Sequence, residues 1–290
     1  MKLAFHIVDV FTDRPLAGNQ LAVVLDADAL SEPQMQAIAR EFGFSETTFV
    51  MRSAKRGCDC RVRIFTTGRE LPMAGHPVVG TTLVLQREGR IGDDAVLGLG
   101  VGPTPVEIDR AGIAWMHQGK ARFGPIIGDR GAVAAALGIA EADLRSDLPL
   151  RPVSCGNEFV MVPVASLEAM RRLTPDAARM AAVHAGSDHP AMYCFVLDAD
   201  QPGVDAHCRM FAPASGILED AATGSAAGPL GCYLWSHVHA EPSEWLQLTF
   251  EQGMEMGRPS LIHVRVPPDG GGPRVGGTAA FVATGWLDVP

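Results

Sequence analysis

Along most of the chain, apolar positions fall in short runs broken by glycine, proline and acidic residues, a spacing that predicts strands. Leu3–Val10 and Leu21–Leu25 predict strands on either side of the turn-rich loop Arg14–Asn19. A helix follows. Ser31 suits its N-cap, Pro33 its first turn and Gly43 its C-cap, while Met35, Ile38, Ala39 and Phe42 form one stripe. Ser45–Val50 and Arg61–Phe65 return to β-rich composition. The segment Gly75–Leu85 breaks this pattern. It opens Gly-His-Pro and continues apolar or small on every side, which predicts a helix buried all round and entered at a tight turn.

The pattern resets around Gly119–Ile127, dividing the chain into halves 1–118 and 119–290. The second half predicts helices at Gly131–Leu137, Leu167–Leu173 and Pro175–His184. It predicts strands at Phe159–Val164, Met192–Leu197, His207–Phe211, Leu246–Phe250, Leu261–Val266 and Ala279–Val282, with a loop at Pro267–Pro273. The halves share a plan. Phe65 precedes Glu70 and the small-residue run Ala74–Gly80; Phe211 precedes Glu219-Asp220 and the run Thr223–Gly228.

Composition then removes several function classes. Hydrophobic residues make up 47% of the chain, so it is not disordered, and a net charge of −9 with scattered Lys and Arg argues against nucleic acid as a partner. No apolar run approaches the roughly 20 residues of a membrane-spanning helix. His6 and Asp9 interrupt the N-terminal run, so a cytoplasmic protein without a membrane partner is expected. Leu97–Pro103 has the glycine spacing of a dinucleotide loop, but Pro105, Val106 and Ile108 continue as strand where such a loop needs a helix. A glycine-rich hairpin is expected instead. Cys58 and Cys60 lack a second pair or a nearby histidine, and His237 and His239 alternate on a surface stretch, so no metal is expected and the six cysteines read as reduced thiols.

Candidate chemistry lies where small-residue helices begin. A helix N-terminus offers unpaired N–H groups and a partial positive charge, a natural receptor for a carboxylate or a developing enolate. Gly75 and Gly224 permit close backbone approach, and Ser225 adds a hydroxyl. His76 either polarises a ligand or caps its helix; Asp220 either orients His76, binds a substrate amine or serves as an N-cap. Glu46, among Ser, Thr and Phe at the head of a buried-looking strand, is either a solvated strand end or an acid/base whose pKa burial raises.

Four separated motifs, Gly18-Asn19, SETTFV at Ser45–Val50, ELPMAGHPVVGT at Glu70–Thr81 and EDAATGSAAGPL at Glu219–Leu230, resemble the PhzF family of phenazine-biosynthesis isomerases and their relatives. Gly257–Leu261 and Gly276-Gly277 also look like family positions, so the resemblance spans essentially the whole chain. It implies an α+β fold of the diaminopimelate-epimerase type: two pseudo-symmetric domains, each a mostly antiparallel sheet wrapped around a central helix, with the site between them. It implies a cofactor-independent isomerase in which Glu46 moves a proton, with His76, Asp220 and Ser225 as further catalytic groups and Asn19, Gly75, Thr223 and Gly224 binding substrate. The implied partners are a homodimeric copy and a small carboxylate-bearing substrate. That substrate is either trans-2,3-dihydro-3-hydroxyanthranilate or a different small carboxylate metabolite, turned over or only bound. Epimerase relatives use two cysteines where this chain has Ala74 and Thr223, so two-thiol racemisation is not expected. Gln20 and Met73 stand where the family commonly has proline and an aromatic residue, which is expected to alter the surroundings of Asn19 and the pocket wall.

Overall fold

The expected strands of the first half form as β1 (Lys2–Val10), β2 (Asn19–Val24), β3 (Glu46–Arg52) and β4 (Cys60–Phe65). The two-residue β5 (Glu70–Leu71), then β6 (Asp94–Leu99), β7 (Gly102–Ile108) and β8 (Ala114–His117), complete the run. Helix α1 (Glu32–Phe42) is closed by Gly43 at φ 69°, and Gln34 accepts hydrogen bonds from the Ser31 N–H and hydroxyl. Helix α2 (Gly75–Arg87) touches β1, β2, β3, β8 and the C-terminal strand, so its buried face is its whole circumference from Gly75 to Leu85. Its buried threonines are satisfied: Thr81 shares a 2.8 Å hydrogen bond with Thr48, and Thr82 donates to Val78 C=O at 2.8 Å. Gly80 lets the helix approach the sheet, since a Cβ there would lie 2.6 Å from Val10 Cγ2 and 2.7 Å from Leu21 Cδ2.

The computed structural model describes residues 1–183, 191–240 and 242–290, which cluster into two units. One comprises Met1–His117 with Gly276–Pro290, the other Gln118–Val275. The tail from Gly276 therefore groups with the first unit. Its strand, Ala279–Asp288, is longer than the expected Ala279–Val282 and pairs antiparallel along all of β1, from Lys2↔Asp288 to Val10↔Ala279. Half of that strand is exposed and only Ala280 is buried, so it carries little apolar signal.

The second unit contains β9 (Arg122–Phe123), α3 (Arg130–Ala136), β10 (Arg151–Ser154), β11 (Glu158–Pro163), α4 (Leu167–Arg171) and α5 (Ala177–Val183). The last residue of the helix expected over Pro175–His184 lies outside the described residues. Then come β12 (Met192–Val196), β13 (Ala206–Ala212), β14 (Ile217–Asp220), α6 (Gly224–His237), β15 (Leu246–Gln252) and β16 (Ser260–Val266); β17 (Arg274–Gly277) begins in this unit, and its Gly276 and Gly277 belong to the first. Helix α6 packs on β10, β11, β15 and β16 and is buried from Gly224 to Leu234 apart from Ser225, which is half-buried. Its body is small and apolar for the same reason as that of α2: no face meets solvent.

Each unit follows the same pairing plan. In the first, β1–β2 is antiparallel, β2–β3 parallel, β3–β4 antiparallel, β4–β5 a short return, β4–β6 parallel and β6–β7 a hairpin. In the second, β10–β11, β11–β12, β12–β13, β13–β14, β13–β15 and β15–β16 repeat that sequence of orientations. The likeness extends to side chains. Arg63 on β4 grips Glu70 at 2.7 and 2.6 Å and lies 5.1 Å from the Phe65 ring centre. Arg209 on β13 grips Glu219 at 2.8 Å twice and lies 4.9 Å from the Phe211 ring centre.

Candidate active site

In the first unit, parallel pairing sets the starts of β2 and β3 at one end of the sheet, with Leu21 opposite Glu46. Asn19 opens β2, Glu46 opens β3 and His76 is the second residue of α2; all three are buried, at 4%, 7% and 4% exposure. Asn19 Nδ2 lies 3.2 Å from His76 Nδ1, and the Ser45 hydroxyl donates to Asn19 Oδ1 at 3.4 Å. With its oxygen so engaged, the Asn19 amide presents a donor to Nδ1, and a neutral ring then carries its proton on Nε2. His76 Nε2 is 3.5 Å from Glu46 Oε2. Such a pair reads either as a salt bridge or as a neutral ring beside a carboxyl. At 3.5 Å it exceeds the ~2.7–2.9 Å of a charge-assisted hydrogen bond. Burial pushes the ring down to about 3, outweighing a backbone hydrogen bond with Gln20 that acts upward. We therefore assign the neutral imidazole, a hydrogen-bond donor that does not neutralise Glu46.

In the second unit, Asp220 ends β14, Thr223 is the N-cap of α6, and Gly224 and Ser225 are its first two residues. Asp220 and Thr223 are buried, at 8% and 5% exposure. The Thr223 hydroxyl donates to Asp220 Oδ2 at 2.6 Å, which makes Thr223 a partner of Asp220 as well as a cap. Ala74 and Thr223 both occupy N-cap positions, so they correspond in the repeat, and neither is a thiol. All six cysteines are free.

The two halves of the repeat carry different chemistry. Where β3 opens with Glu46, β12 opens with the apolar Met192; where α2 has His76, α6 has Ser225; where β5 ends in Leu71, β14 ends in Asp220. Two residues of the second unit went unread in the sequence. Gln252, the last residue of β15, and Tyr193 on β12 are fully buried and hydrogen-bonded into the Asp220–Thr223 turn. The only signal was an amide before Gly253 at a strand end.

A second charged cluster lies on β13 and β15. Asp200, His207 and Glu251 bring potential ligand atoms within 4.8 Å of one another. Each is already matched by a protein partner: Arg171 grips Asp200 at 2.6 and 2.8 Å, and His207 bonds Glu251 at 2.8 Å and Glu255 at 3.0 Å. Burial alone would lower His207, but the two glutamates outweigh it and raise its pKa, favouring the protonated ring between carboxylates.

The description "Phenazine biosynthesis-like protein" belongs to the family whose sequence model matches residues 8–285. A trans-2,3-dihydro-3-hydroxyanthranilate isomerase from Pseudomonas chlororaphis is 38% identical over 90% of this chain and 89% of its own. The crystal structure of a Bacillus anthracis phenazine biosynthesis protein of the PhzF family superposes with a TM-score of 0.93 at 29% identity, covering 100% of both chains. A hydroxyproline epimerase from Agrobacterium vitis shares the fold at TM-score 0.62 and 8% identity, over 99% of this chain and 92% of that one.

Proposed function

We propose, from the premise that this chain is an isomerase belonging to the phenazine biosynthesis-like family, that Glu46 is its acid/base. One observation carries the proposal. A carboxyl of 7% exposure opens β3, and its Oε2 lies 3.5 Å from Nε2 of a buried His76 that burial holds neutral. Glu46 takes a proton from one carbon of a conjugated substrate and returns it to another, while His76 Nε2–H donates to a substrate oxygen that gains charge. The enol so formed becomes a ketone. No electrons leave the substrate, so the step needs no redox cofactor.

Asn19 holds His76 in this orientation, and Gly75 supplies backbone N–H at the start of α2. To the second unit we assign recognition of the substrate's polar groups: Asp220 for an amine, and Thr223, Gly224 and Ser225 for a carboxylate. The substrate we propose is trans-2,3-dihydro-3-hydroxyanthranilate, on which the Pseudomonas chlororaphis relative acts by its name. A homodimer in the cytoplasm is part of the same proposal, supported by the family resemblance.

The test is turnover of that compound by wild type and Glu46→Gln. Loss of an acid/base is expected to lower kcat by about 10²–10⁴-fold while binding survives. Normal turnover by the variant rejects Glu46. Binding without turnover by the wild type redirects the proposal to another small carboxylate.

A further inference from the structure

We propose that Gln252 and Tyr193 are positioning residues that fix the hydrogen-bond polarity of the turn before α6, sending the Thr223 hydroxyl proton to Asp220 and reserving the Gly224 and Ser225 N–H groups for substrate. The proposal deepens the assignment of Asp220 and the α6 start to substrate recognition, and rests on it.

A buried primary amide has two donors and an acceptor to satisfy, and here every one has a protein partner. Gln252 Oε1 accepts from the Thr223 N–H at 3.1 Å and from the Tyr193 hydroxyl at 3.1 Å. Gln252 Nε2 donates to Asp220 C=O at 2.8 Å and to Thr223 Oγ1 at 3.0 Å. The amide cannot reverse without setting its NH₂ against the Thr223 N–H, so that N–H fixes which end is which, and the Tyr193 hydroxyl adds a second donor to the oxygen.

Direction then propagates. Because Thr223 Oγ1 accepts from Gln252, its own hydrogen points at Asp220 Oδ2, 2.6 Å away, within the ~2.5–2.7 Å of a hydroxyl–carboxylate bond. The Thr223 N–H is spent on Gln252, and the Thr223 carbonyl takes the N–H groups of Ala226 at 3.0 Å and Ala227 at 3.1 Å. Of the first α6 amides, those of Gly224 and Ser225 have no intrahelical acceptor. Gly253 keeps the next turn in register: at φ 82°, a Cβ there would collide with the carbonyls of Arg258 and Ala221.

Two measurements test this. Gln252→Glu keeps the shape and the acceptor but replaces the NH₂ donor with oxygen, so the Thr223 hydroxyl turns from Asp220 to the new carboxylate. With trans-2,3-dihydro-3-hydroxyanthranilate as probe, the loss of a charge-assisted bond should raise KM about 10–100-fold with kcat changed far less. Tyr193→Phe, which removes one of the two donors to Gln252 Oε1 and loosens the amide, should raise KM about 5-fold. An unchanged KM in Gln252→Glu overturns the proposal.

The second measurement does not need turnover. Amide hydrogen exchange at Thr223 should quicken about tenfold or more in Gln252→Leu, and to a lesser degree in Tyr193→Phe, while Ala226 and Ala227 stay as in the wild type. Thr223 protection equal to the wild type's in both variants, or equal loss at all three amides, overturns it. If the wild type ignores the probe but Thr223 exchange responds as expected, the substrate assignment has failed and the positioning stands.

Discussion

Replacing His76 with glutamine should make the protein less sensitive to mild acid. The imidazole is fully enclosed, and burial pushes it down to about 3 from the ordinary 6.5. A folded state that refuses a proton loses ground wherever the unfolded chain accepts one. The sign follows: His76 leaves stability intact above about 6.5 and erodes it as pH falls from there toward about 3. Between pH 7.5 and pH 5, the 6.5-to-5 interval at 1.36 kcal/mol per unit gives a loss of about 2 kcal/mol. Glutamine cannot titrate, and the remaining carboxylates are common to both proteins and cancel in the comparison. Urea denaturation of wild type and His76→Gln at the two pH values is the assay. The stability gap should move by about 2 kcal/mol in favour of the variant at pH 5. A gap that stays constant, or moves toward the wild type, would mean that His76 is charged and ion-paired to Glu46 at 3.5 Å, refuting the neutral-donor assignment.

His207 should show the opposite dependence. Its raised pKa gives stability that is complete below about 6.5 and lost as pH rises through the folded value, so the wild type's advantage over His207→Gln should shrink on the alkaline side, read by thermal denaturation across pH 6–10. Gly80→Ala should cost about 1–3 kcal/mol in chemical denaturation, because the added methyl meets Val10 and Leu21 at 2.6 and 2.7 Å between packed layers; a neutral result would show that α2 and β1–β2 separate easily.

Glu46 and His76 were legible because each breaks a local rule. A glutamate heading an apolar strand and a histidine inside a helix without a polar face both need an explanation, and burial with a common neighbour supplies it. The repeat was legible for a similar reason, since two helices buried on all sides demand the same tiny residues. Gln252 offered no such conflict. Its role depends on the parallel pairing of β13 with β15, which sets Cys208 opposite Gln252, and no local pattern encodes which strands pair in parallel. Asp220 is open to several roles in the sequence, and the turn geometry brings it the hydroxyl of Thr223, three residues on. The C-terminal strand was cut short in the sequence because its exposed residues look like loop, whereas its ladder to β1 is a matter of backbone hydrogen bonds.

The central claim is that Glu46 moves a proton within a small unsaturated carboxylate. The most direct measurement is proton NMR of trans-2,3-dihydro-3-hydroxyanthranilate incubated with the protein in D₂O, with Glu46→Gln run beside it. The wild type should consume the compound with a hydrogen relocated or exchanged for deuterium at one ring carbon, and the variant should leave the spectrum unchanged. Equal conversion by both proteins would contradict it.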